Sequence, residues 1–181
     1  QGFLGSEQLG FYSISVKAVE SLYFLPTILS HSFLPLIGTK DLKFNKNINL
    51  RNYYKISWIL GIAMTFFSVI FLPSIVEVLY GKEYLSSIPS LIWLGAASFS
   101  VCVGYSNSLW LRCSNLEHVL WYRALIALFL NILLNLFLIP KEGIIGAAKA
   151  TTLSNYLCIF SINLIWSKES RYNIIKNYLP F

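Results

Sequence analysis

The chain has 181 residues, of which 56% are hydrophobic and only 12% charged, and its mean hydropathy is +0.61. No water-soluble domain hides that much apolar surface, so the composition excludes a soluble globular protein. The net charge of +6 sits in short segments between apolar runs instead of in one basic patch, which leaves no footprint for nucleic acid.

A bilayer core about 30 Å thick needs about 20 apolar residues in a helix, because unsatisfied backbone groups are intolerable in hydrocarbon. Five stretches qualify, over 10–37, 53–72, 85–113, 119–139 and 146–166. The expected fold class is therefore all-α, a single polytopic transmembrane bundle of five spans over 1–181 with a tail at 167–181.

The first span carries Lys17 and Glu20, three residues apart and hence on one helical face, at a depth where a lone charge is costly. Two readings stand: a face lining a polar cavity where Lys17 attracts an anion, or a structural pair with Lys17 snorkelling. Pro26 removes a backbone donor and predicts a kink that serves gating or static packing, and Pro35 is expected to help end the helix. His31 has no second ligand near it in sequence, so a non-catalytic role is expected.

Residues 73–84, with Glu77, Gly81, Lys82 and Glu83, suit a short interfacial turn or helix. Small residues recur every four positions in the third span (Ala96, Ser100, Gly104, Ser108) and the fifth (Gly146, Ala150, Ser154, Cys158). Both stripes are expected to be packing seams. In the fourth span Asn131 and Asn135 share a face and are expected to bond a neighbouring helix or line the cavity. Lys149 enters the fifth span ahead of Thr151, Thr152, Ser154 and Asn155, a polar half-helix that could border an aqueous vestibule. Arg123, at the start of the fourth span, reads as an interface anchor or a cavity residue.

Short loops with Lys and Arg stay in the cytoplasm. Lys40, Lys43, Lys46, Arg51 and Lys55 follow the first span, Arg112 and Arg123 flank the third turn, and Lys168, Arg171 and Lys176 lie in the tail. The other side has Lys82 and Lys141 among Glu7, Glu77, Glu83 and Glu142, which places the carboxy terminus in the cytoplasm and Gln1 outside. An upstream helix is then expected before Gln1. Trp58, Trp93, Trp110, Trp121 and Trp166 fall toward span ends, as interfacial indoles do, although Trp58 and Trp93 could equally pack in the bundle.

Cys102, Cys113 and Cys158 lack CxxC spacing and lie in apolar runs, where a thiol behaves as a small hydrophobe. There is no phosphate-binding glycine loop, no HExxH, no GxSxG and no paired aspartates for magnesium, so no enzyme activity, cofactor or metal is expected.

The order of motifs resembles the second half of bacterial polysaccharide and O-antigen flippases of the multidrug/oligosaccharidyl-lipid/polysaccharide exporter superfamily. Leu9-Gly10-Phe11-Tyr12-Ser13, followed by Lys17, Glu20, Pro26 and Pro35, resembles that family's "LGxYS…K…E…P…P" helix. Leu79 to Tyr84 resembles its "fGxxY" turn, and Asn131 to Thr151, NILLNLFLIPKEGIIGAAKAT, is similar to "NxxLNxxLIPxxGxxGAAxAT". The resemblance implies about twelve helices in two bundles, of which this chain supplies the last five. It also implies a flippase of undecaprenyl-pyrophosphate-linked oligosaccharide repeat units in the bacterial inner membrane, with a cationic cavity receiving the headgroup. Lys17, Lys149 and Arg123 are the candidate cations; Lys149 stands where the family often has a neutral residue. The implied partners are the lipid-linked oligosaccharide, membrane lipids and the polysaccharide polymerase machinery. The alternatives are an exporter of small cationic drugs, disfavoured because Glu20 is the only acid within a span, and a membrane assembly protein without transport activity.

Overall fold

In the computed structural model the backbone is described over 5–38 and 43–165, and side chains over 5–37 and 49–159. Lys40, Lys43, Lys46, Trp166, Lys168, Arg171 and Lys176, which carry part of the orientation argument, lie outside the described side chains. Every element among the described residues is helical.

The chain opens with α1 (Ser6–Glu20), a 3-10 turn at Ser21–Tyr23, and α2 (Phe24–Gly38). Pro26 has no N–H to give to the Leu22 carbonyl, and the tightened turn falls just ahead of it, where the helical ladder is short of that bond. The α-helical ladder is thus interrupted by a 3-10 turn at the place where the kink is expected. Pro35 sits inside the last described turn of α2, which runs to Gly38, one residue beyond the expected end of the span. A proline in the final turn deletes one bond, and the amides that follow it still find carbonyls a turn back.

Next come α3 (Lys43–Ile70) and α4 (Leu72–Tyr80). The path between them stays nearly helical, since Phe71 N–H donates to the Phe67 carbonyl at 2.9 Å and Ile75 N–H to Phe71 at 3.1 Å. The expected interfacial segment at 73–84 is therefore α4 plus a 3-10 turn, Lys82–Ser87, which leads into α5 (Ile88–Cys113). Finally α6 (Glu117–Glu142) and α7 (Ile144–Ile165) form an antiparallel hairpin about Gly143, whose φ of 60° only glycine adopts cheaply. Among the described residues, three helical stretches are long and apolar enough to cross a membrane: Asn49–Ile70, Lys82–Cys113 and Glu117–Glu142.

The fold is organised around α5, which packs against every other helix. Its residues are small, so the backbones approach closely: a Cβ on Gly95 would sit 2.7 Å from Ser68 Cβ, and one on Gly61 of α3 3.1 Å from the Phe99 ring. Close approach of this kind holds helices together in lipid, where no hydrophobic difference drives them. The expected seams are real, with Ser100, Gly104, Gly146, Ala150, Ser154 and Cys158 all buried.

Two buried clusters mark the bundle's ends. One joins Val19, Leu72, Val76, Leu91, Leu94 and Ala148, the other Ile37, Leu50, Tyr53, Tyr54 and Leu109. The second end also holds Arg51, Lys55, Arg112 and Arg123 with Glu117 as a counter-acid; the first holds Glu77, Lys82, Glu83, Lys141, Glu142 and Lys149. The helices thus alternate in direction, and among these residues the second end carries a net positive charge while acids balance the cations at the first.

Candidate functional site

At the basic end α2 and α6 stand on either side of α5 without closing over it. The gap is a cavity of about 380 Å³. Its floor is the α5 stripe Val101, Gly104, Tyr105, Ser108, Leu109 and Arg112, spaced three or four residues apart so that all share one face. One wall is Thr27, Ser30, His31 and Leu34 of α2; the other is Arg123 of α6 with Ile159 of α7. Among the described residues no carboxylate lines it.

Arg123 is held in a fixed direction. Its Nη2 donates to Ser108 Oγ at 2.6 Å, and Ser108 in turn donates to the Gly104 carbonyl at 2.7 Å. The Arg123 carbonyl accepts from the Cys158 thiol at 3.2 Å, which ties α6 to α7. Opposite, the Thr27 hydroxyl donates to the Tyr23 carbonyl at 2.8 Å and lies 3.1 Å from the Tyr105 hydroxyl. Two guanidiniums, an imidazole and several hydroxyls thus converge on one space. A cavity so lined offers donors for anionic oxygens and little to a cation.

Comparison with protein-family models, curated proteins and solved structures finds no match. The chemistry of the site therefore rests on its own residues.

Of the polar and charged residues expected from sequence on the substrate path (Lys17, Glu20, Arg123, Asn131, Asn135 and Lys149), Arg123 alone lines this cavity. Asn131 and Asn135 lie further along α6 in a network that joins three helices. Asn131 Nδ2 donates to Ser154 Oγ at 3.2 Å and Thr151 Oγ1 at 3.4 Å, and Asn135 Nδ2 to Asn131 Oδ1 at 2.8 Å. Thr151 is also 3.5 Å from the Tyr12 hydroxyl of α1. Asn131 bonds the neighbouring helix and acts as an interhelical tie, whereas Asn135 bonds Asn131 within α6 and reaches the neighbour only through it. Pro26 is buried at the start of α2, one residue before cavity-lining Thr27.

Lys17 and Glu20 are both exposed on α1 and form no ion pair with each other or with any described residue. Their side chains point away from the bundle's own packing, so this face is open to water or to another polar surface. Lys149 is committed elsewhere: its Nζ lies 2.5 Å from Glu142 Oε2 across the α6–α7 turn and 5.4 Å from the Trp93 ring centroid. Both partners are about one-third exposed, 28% and 36%, so screening keeps this pair weak. Glu142→Gln should lower stability by less than about 1 kcal/mol, read as a melting-point shift in detergent; a large loss would mean that the pair anchors the hairpin.

Sequence reasoning passed over Arg112 except as an orientation marker, and set His31 aside. The signal that would have found the cavity was the polar stripe on α5 ending in Arg112, which shares its face with Ser108. The tryptophans divide: Trp58 packs edge-on against Phe99 at 5.2 Å inside the bundle, whereas Trp121 is 75% exposed.

Proposed function

We propose that this chain is the carboxy-terminal bundle of a flippase that moves lipid-linked oligosaccharides across the bacterial inner membrane. The observation that carries the reading is the cavity lined by Arg112, Arg123 and His31, with no carboxylate among its described lining residues. A lipid tail remains in the bilayer during transfer, but an anionic, hydrated headgroup needs a polar, cationic path. A pyrophosphate-linked sugar fits such a site, with the guanidinium forks on the phosphates and the hydroxyls of Thr27, Ser30 and Tyr105 toward the glycan. A cationic drug would meet two like charges there.

The five-span reading is supported by α1 and α2, which together run from Ser6 to Gly38 with one tight turn, and by α7, which runs from Ile144 to Ile165. With the basic end in the cytoplasm, the cavity opens toward the side where such lipids are made. The exposed Lys17 and Glu20 face would line the path further out, against a second bundle. Deletion of the full-length gene should leave lipid-linked repeat units on the cytoplasmic leaflet and abolish surface polysaccharide. Normal surface polysaccharide in that strain would reject the assignment.

A further inference from the structure

Two of the three basic groups on the cavity wall, Arg112 and Arg123, are guanidiniums and stay charged at every working pH. The third is an imidazole. His31 lines the space from α2, one helical turn after Thr27 and one before Leu34, and is exposed. It is the only titratable residue of α2. The other charged or titratable lining groups are Tyr105 and Arg112 of α5 and Arg123 of α6, while α7 contributes Ile159. Tyr23 of the 3-10 turn lies about two turns back along the same helix path. From α3, Tyr53 meets α2 at Phe33, with ring centroids 5.0 Å apart, about 200° around the helix from His31. Arg51 and Lys55 of α3 lie outside the lining.

We propose that His31 takes up a proton from the aqueous side when the cavity binds an anionic headgroup, which makes the affinity of the site depend on pH. The inference rests on the reading of this cavity as a pyrophosphate site. Imidazole is the side chain whose ordinary titration falls between about pH 5 and pH 8. A proton on His31 sets a third cation beside Arg112 and Arg123, and a bound diphosphate gives all three a common counter-charge. The imidazolium also donates from both ring nitrogens where the neutral ring donates from one, so the proton adds a hydrogen bond to a phosphate oxygen. Protonation and binding therefore strengthen each other by the same factor. Affinity is lowest above the imidazole range, rises as pH falls through it, and levels off below.

The test uses the full-length protein in detergent and farnesyl pyrophosphoryl glucose, a pyrophosphate diester whose two charges do not titrate in that range. Binding should be about tenfold tighter at the acid end than at the alkaline end, the lower end of what an opposite charge does to an imidazole, because His31 is exposed. Calorimetry in two buffers of different ionisation enthalpy should show net proton uptake on binding. His31→Gln should bind with one affinity throughout the range and take up no proton, and His31→Lys, charged throughout, should hold the tight affinity at the alkaline end as well. His118→Gln alters the other histidine of this chain, which lies outside the cavity lining, and should keep both the rise and the uptake. Failure of the unaltered protein to bind the diester at any pH would reject the pyrophosphate reading itself. Binding without pH dependence, or a dependence that survives His31→Gln or vanishes in His118→Gln, would overturn the role of His31 and leave that reading standing.

Discussion

Replacing Arg112 and Arg123 together by glutamine should cut transfer of the lipid-linked substrate about 100-fold with the protein still folded. Hydrogen bonds to charged groups contribute about 1.5–3 kcal/mol each. Arg112 is exposed and Arg123 half-buried, so the lower figure applies to each, about 3 kcal/mol for the pair, and that is about two orders of magnitude in occupancy. Arg123→Lys separates charge from geometry. It keeps the cation but loses the planar fork that donates to Ser108, and should fall between the unaltered chain and the double variant. The measurement is the fraction of repeat units reachable by an enzyme added to the outer leaflet. Unimpaired transfer in the double variant would remove the cavity from the substrate path.

The largest expected effect on stability comes from one methyl group. A Cβ on Gly146 would lie 2.3 Å from the Leu138 carbonyl oxygen and 2.5 Å from its carbon. These are backbone atoms of the facing helix and cannot swing aside as a side-chain tip would. Gly146→Ala should therefore force α6 and α7 apart at the hairpin and destabilise the bundle by about 3 kcal/mol, the upper range for overpacking. Gly10→Ala is the control, because nothing lies within 4 Å of the Cβ position at Gly10. Thermal unfolding in detergent should separate the two clearly; equal melting points would mean that the hairpin tolerates a wider spacing.

Hydropathy made the helices legible, and the four-residue stripes of small side chains located the seams, because both patterns are local consequences of helical geometry. The helix bounds differ where the cue was polar. The helix begun at Lys43 reaches ten residues before the apolar run at Tyr53, since a helix continues into water wherever its backbone bonds persist. The site was harder to read. Arg112 and Arg123 are eleven positions apart on two helices, and their meeting depends on the reversal at Asn115, whose φ is 56°, and on α2 lying across from α6. Lys149 showed the opposite problem. Its depth in an apolar run made it look available, but the tight turn at Gly143 returns α7 alongside α6 and delivers Glu142 to it. Proximity across a hairpin does not show in a residue-by-residue hydropathy profile.

The central position of α5 has an electrical consequence. With the cavity wetted on one face and α3 packed on another, this single helix, about 10 Å across, becomes a dielectric wall. Water and counter-ions reach an anion beside Ser108 only from the open side. Behind it lie Cys102 and Val103, both fully buried, and then Met64 of α3, which is buried against the Cys102 thiol. The field between such an anion and the two guanidiniums is screened on one side alone, so it falls off more slowly along the cavity than it would in bulk water. Dissolved salt should consequently weaken anion capture less here than at an open basic surface, and a charge introduced on the α3-facing side of α5 should be felt across the helix.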